Sequence, residues 1–160
     1  MDPNCSFCQI VSCNEQQKRG SNALNCYPIY ETRNFLAFLD NNPLTEGHTV
    51  VIPKKHVRTV WELSPQLLSE YFEACRRIQQ RYFEIDRSHP PYLLIMQHTS
   101  IQGQQHPHAH IHILPNTRPD FSLTLLQFIQ ETRKRKQNAL SKMPFYTVHS
   151  KYQLRYNPVV

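Results

Sequence analysis

No stretch of this 160-residue chain approaches the ~20 consecutive apolar residues that a membrane-crossing helix needs, so a transmembrane class is excluded. The opening residues, MDPNCSFCQIV, lack the basic start and long apolar core of a secretory signal, and a cytoplasmic location is expected. An even set of cysteines is lacking too. Five cysteines with no export signal argue against a disulfide framework. Internal repeats and low-complexity tracts are absent, which removes solenoids and disordered linkers from consideration. What remains is 39% hydrophobic and 19% charged, an ordinary globular balance in a chain long enough for one sizeable core.

Acidic residues are scarce at one end only. Residues 1–130 hold eleven Lys and Arg against eleven Asp and Glu, whereas residues 131–160 hold seven basic residues against Glu131 alone. The main body is therefore near neutral and the tail carries the net charge of +6. Such a tail can attract phosphates or nucleic acid without sequence preference, although a solvated helix end has the same composition.

The order of elements points to an α+β class with a mainly antiparallel sheet, one long helix and a C-terminal helix. Residues 13–26 are polar, contain Gly20 and Ser21, and read as a loop. Ile29-Tyr30 and Phe35 to Asp40, separated by Glu-Thr-Arg-Asn, read as a hairpin. A β-branched strand follows over His48 to Pro53. Ser64-Pro65 is a helix start, and Leu68, Tyr71, Phe72, Cys75, Ile78 and Tyr82 recur at spacings of three and four, which predicts a helix to about Phe83. Tyr92 to Met96 is a short strand, and Gln97 to Gln105 a polar loop around Gly103. A last helix begins near Asp120 and runs into the basic segment. Residues 1–121 thus form the main domain, with 122–160 packed on it or extending from it.

Two clusters carry chemistry. Cys5 and Cys8 have the C-x-x-C spacing used by metal and redox sites, while Cys13, Cys26 and Cys75 have no such partner nearby. His106, His108, His110 and His112 alternate with other residues, and one extended strand would turn all four imidazoles to one face. Ala109, Ile111 and Ile113 would then face the core. Solvation gives no reason for that alternation. A row of imidazoles suits a metal site or phosphoryl transfer with histidine as nucleophile, and different members can serve each.

These residues resemble the histidine triad (HIT) superfamily of nucleotide hydrolases and transferases. The signature reads His108-Ala109-His110-Ile111-His112-Ile113-Leu114. Phe35-Leu36-Ala37-Phe38-Leu39-Asp40, the segment from Gly47-His48 to His56, and Gly103-Gln104 resemble the family's nucleotide-side segments in the same order. The resemblance spans roughly residues 5–121. It implies that His110 is the nucleophile, that His112 contacts the scissile phosphate or leaving group, and that Gln97 also reaches the phosphate. It further implies that Gly103, Gln104 and Gln105 form the phosphate loop, that Asp40 holds the ribose hydroxyls, and that Phe38 and Phe35 line the base pocket. Bacterial-type members bind zinc through an N-terminal C-x-x-C, and the matching ligands here are Cys5, Cys8, His56 and His108. That ion would be structural. A purine nucleotide substrate and a homodimer are implied as partners.

The chain departs from the family pattern at three places. Gln105 stands where Ser or Thr is usual, Pro107 precedes the triad, and the basic segment after Phe121 has no counterpart. His106-Pro107-His108 also resembles the signature of the uridylyltransferase branch, in which His108 would be the nucleophile. The leading expectation is a hydrolase that cleaves nucleoside phosphoramidates or dinucleoside polyphosphates at the α-phosphate through a nucleotidyl-histidine. The alternatives are a nucleotidyltransferase or an enzyme that de-adenylates nucleic-acid ends with its basic tail, and a noncatalytic zinc-stabilised nucleotide-binding adaptor.

Overall fold

The computed structural model describes residues 2–18, 28–41, 43, 45–85, 93–96 and 107–115. Five strands form one antiparallel sheet: β1 (Pro28–Glu31), β2 (Phe35–Leu39), β3 (Thr49–Pro53), β4 (Leu93–Met96) and β5 (Ile111–Leu114). Their spatial order is β1-β2-β3-β5-β4, so β5 lies between β3 and β4. The α+β class and the antiparallel sheet are as expected. The C-terminal helix and the division at residue 121 lie outside the described residues.

Alternation along the strands sorts side chains onto two faces. Phe35, Ala37 and Leu39 of β2, Val51 of β3, and Ile111 and Ile113 of β5 join one core with Tyr71, Ala74, Cys75, Ile78 and Tyr82. Those last five belong to α2 (Pro65–Ile85), and their spacing of three and four gives that helix its buried stripe. Ser64 caps α2, accepting from the Leu67 backbone N–H at 3.3 Å. Tyr71 stacks on Phe35, with ring centroids 4.7 Å apart, and donates its hydroxyl to the Val51 carbonyl at 2.6 Å.

The opposite face carries Leu36, Val50 and Ile52, which pack with Cys5, Phe7, Cys8 and Val11. Most of these belong to α1 (Ser6–Lys18) or its approach, and this helix corrects the loop expected from residue 13 onward. Its inward positions include a thiol, Cys8, and a buried amide, Asn14, so the sequence shows no clean apolar period. Asn14 donates to Glu31 at 3.2 Å, and Lys54 pairs with the same Glu31, which ties α1 to the sheet edge.

The β1–β2 turn is fixed by α2. Glu70 accepts from the Thr32 hydroxyl at 2.8 Å and the Asn34 amide at 2.7 Å. Glu70→Ala removes two charge-assisted hydrogen bonds, so the unfolding free energy should fall by about 1–3 kcal/mol. Urea denaturation measures this, and an unchanged midpoint would show that the turn needs no such anchor.

Candidate active site and metal centre

The described histidines of the row, His108, His110 and His112, do not share one strand. β5 begins only at Ile111, and Pro107 and His108 lie in a bend before it. Alternation nevertheless continues back from β5. Ala109 joins the α2-side core, whereas the rings of His108 and His110 both meet Phe7 on the opposite side. The Ala109 backbone N–H donates to the Val57 carbonyl at 2.7 Å, which holds this approach against the segment after β3. His106 lies outside the described residues.

His108 is fully buried beside Cys5, Cys8 and His56. Its Nδ1 lies 3.4 Å from Cys5 Sγ and 3.7 Å from Cys8 Sγ, and Cys8 Sγ lies 3.2 Å from His56 Nδ1. Metal–sulfur and metal–nitrogen bonds of ~2.3 and ~2.0 Å at tetrahedral angles put S and N about 3.5 Å apart, which these distances bracket. The tautomer also fits. His108 Nε2–H donates to the Pro53 carbonyl at 2.8 Å, which leaves the lone pair on Nδ1, the atom among the thiols. Burial lowers the His108 pKa to about 4, so the ring is neutral and ready to ligate at physiological pH. Burial pushes the Cys8 thiol up. These four residues fit a metal ion, with α1 supplying Cys8, the turn before it Cys5, the segment after β3 His56, and the approach to β5 His108.

A second group lies on the same side of the sheet. His110 Nδ1–H donates to the His108 carbonyl at 2.7 Å, so the basic lone pair of the neutral ring sits on Nε2. The His110 and His112 rings are edge-to-face, with centroids 5.0 Å apart. Both side chains are buried. His112 Nδ1 in turn lies 2.9 Å from His48 Nε2, an ordinary hydrogen-bond length. Asp40 Oδ2 stands 3.6 Å from that His48 nitrogen and 3.8 Å from His112 Nδ1. His48 is a member of the cluster that sequence reasoning did not single out.

The base-pocket expectation needs correction at one position. Phe35 is buried against Tyr71 on the α2 face, so it cannot wall a pocket with Phe38. An odd separation of three places the two rings on opposite sides of β2. Phe38 does share the histidine side: it pairs in register with Val50, which pairs with His112, and its ring lies 6.0 Å from Phe7. Gln97, Gly103, Gln104 and Gln105 lie outside the described residues. Cys13 is half-buried, and Cys75 is buried in the core, with its thiol pushed up to about 12 by desolvation.

Comparison with known proteins agrees with this architecture. A family model described as the HIT domain matches residues 23–119. The Bacillus subtilis protein hit is 34% identical over 113 residues, covering 70% of this chain and 70% of that protein. An adenosine 5′-monophosphoramidase of Schizosaccharomyces pombe is 31% identical over 75% of this chain and 80% of its own length. Among solved structures, a zinc-bound histidine triad family protein from Mycobacterium smegmatis superposes with a TM-score of 0.60 at 26% identity. That match covers 83% of this chain and 97% of the other.

Proposed function

This chain belongs to the HIT domain family, and from that premise we propose that it is a nucleotide hydrolase acting at the α-phosphate of nucleoside phosphoramidates or dinucleoside polyphosphates. His110 Nε2 attacks the phosphorus, the P–N or P–O bond to the leaving group breaks, and a nucleotidyl-His110 forms. Water then hydrolyses the P–N bond of that intermediate, releasing the nucleoside monophosphate and restoring the imidazole. The observation that carries this reading is the 2.7 Å hydrogen bond from His110 Nδ1–H to the His108 carbonyl. It directs nucleophilic character to one nitrogen and gives the cation that forms on attack a fixed acceptor.

The rival register, with His108 as nucleophile, is disfavoured by the surroundings of that ring. One nitrogen faces two thiols and the other donates to Pro53. In this reading the ion held by Cys5, Cys8, His56 and His108 is zinc, four protein ligands close its coordination, and it supports the fold. Asp40 holds the ribose, Phe38 lies beside the base, and Gln97 with Gly103, Gln104 and Gln105 reaches the phosphates. A purine nucleotide is the substrate and a homodimer the assembly. The phosphoramidase activity of the fission-yeast relative supports the substrate class.

The test is a screen of adenosine phosphoramidate, dinucleoside polyphosphates and adenylated DNA, followed by acid-free quenching and mass analysis of the His110 peptide. Turnover with a nucleoside monophosphate adduct on His110 is expected. An adduct on His108, or nucleotide binding with no turnover of any of these, would overturn the assignment. Turnover of adenylated DNA alone would favour the end-processing alternative.

A further inference from the structure

We infer that Cys5 and Cys8 form an oxidation site, at which a peroxide joins the two sulfurs as a disulfide and opens the metal centre. This rests on the reading of Cys5, Cys8, His56 and His108 as the ligands of one ion. The pair sits at the start of a helix. The Gln9 N–H donates to the Cys5 carbonyl at 3.0 Å, so Cys5 is the N-cap of α1 and Cys8 stands one turn further on. Residues three apart on a helix are side-by-side neighbours. Both sulfurs flank one nitrogen, His108 Nδ1, at 3.4 and 3.7 Å, and they lie within 4.8 Å of each other. Ligation holds them as thiolates, the nucleophilic form of cysteine. The remaining approach to bonding distance is available at Cys5, because an N-cap residue lies outside the helical backbone geometry.

The two thiols differ in access. A cavity of about 440 Å³ has Cys8 and Cys13 in its wall, with Asp2, Gln9 and Ser12, whereas Cys5 takes no part in it. Both Cys5 and Cys8 are buried, so the reagent must be as small as hydrogen peroxide. The Cys8 sulfur meets it first and takes one oxygen; the O–O bond breaks, hydroxide leaves, and Cys8 becomes a sulfenic acid. The Cys5 sulfur then attacks the Cys8 sulfur and displaces a second hydroxide. The two thiolates have given two electrons to the peroxide, which with two protons becomes two waters. Only His56 and His108 remain to ligate, and the site no longer closes around an ion. Cys13 cannot take the place of Cys5 while α1 persists. Five residues along a helix rise about 7.5 Å, beyond the ~6.8 Å that the Cα atoms of a disulfide span. The change reaches the second cluster directly. Phe7, between the two cysteines, meets the His108 and His110 rings with centroids 5.7 and 5.2 Å away, and the His108 carbonyl accepts from His110 Nδ1 at 2.7 Å.

The experiment treats the zinc-loaded protein with hydrogen peroxide, following released zinc with a chromogenic chelator and the cysteine peptides by mass spectrometry. One ion per chain should leave as a Cys5–Cys8 disulfide forms, seen as a loss of about 2 Da. Dithiothreitol with added zinc should reverse both. Cys13→Ser should lose its ion at the native rate and form the same disulfide. Retention of the ion with both thiols reduced overturns the proposal. So does loss of the ion with a Cys8–Cys13 bond, or with sulfinic acid on Cys8, in place of the Cys5–Cys8 disulfide. Metal content measured before the treatment separates the two readings. A protein that binds no ion removes the metal site itself, whereas a loaded protein that keeps its ion and thiols through the treatment overturns the oxidation site alone. Ion and disulfide are both read without substrate, so the outcome is also distinct from the test of nucleotide turnover.

Discussion

His110→Ala should reduce turnover of an adenosine phosphoramidate at least about 10³-fold, a loss of roughly 4 kcal/mol of transition-state stabilisation. The reason is chemical rather than steric. In the proposed reading His110 is the nucleophile, so without it water must attack phosphorus directly and the two-step path through a nucleotidyl-imidazole is closed. KM should move little, because the groups read as holding ribose and base, Asp40 and Phe38, remain. The buried ring touches Phe7, with centroids 5.2 Å apart, so its removal also leaves a cavity and some stability is lost. Thermal unfolding beside the kinetics separates these effects. A variant that folds, binds nucleotide and keeps activity within tenfold of the native protein would remove His110 from the role. The same change at His112 should have a smaller effect, since that ring is read as assisting the phosphoryl group without bonding to it.

The hairpin, β3 and α2 are legible in the sequence because each obeys a simple period. Phe35 to Leu39 and Thr49 to Pro53 are short β-rich runs bounded by turn residues, and α2 combines a Ser-Pro start with apolar residues at spacings of three and four. α1 is not legible, because the Cys8 thiol and Asn14 occupy inward positions that a hydrophobic pattern cannot count. Over His108, His110 and His112 the imidazole row is legible in its facing but not in its backbone. Pro107 and His108 bend before β5 begins, so His108 departs toward the thiols while His112 stays in the sheet. His48 could have been found. It precedes Val50 by two, hence shares its face, and Val50 pairs with His112 in register. The same parity separates Phe35 from Phe38. What no period supplies is the tautomer of each ring. Carbonyls of Pro53 and His108, contributed by backbone far apart in sequence or bent out of the ladder, set those of His108 and His110.

Metal removal should lower the melting temperature by about 10 °C. An ion present at 1,000 times its dissociation constant contributes about 4 kcal/mol, and each 1 kcal/mol shifts a domain of this size by roughly 2–4 °C. The ligand positions explain why the effect is on the fold. Cys5 and Cys8 lie at the start of α1, His56 follows β3, and His108 precedes β5, so one ion joins three separate parts of the chain. Without it, two buried thiols and the buried His108 ring stand beside the half-buried His56 with only weak S–H···N contacts, and the α1-side core loses its fastening. Turnover measured well below the new melting temperature should fall much less than in His110→Ala, because both ring nitrogens of His108 face away from the chemistry. Some loss is expected all the same, since the His108 carbonyl orients His110. Affinity should depend steeply on pH. His108 is already neutral and releases no proton on binding, whereas Cys8, its thiol pushed up by burial, must lose one, so the binding constant should fall at least about tenfold per unit as pH drops. Chelation followed by calorimetry, with Cys8→Ser as the second route to the metal-free state, checks this. An unchanged melting temperature in both, with no metal released, would show that Cys5, Cys8, His56 and His108 hold one another without an ion.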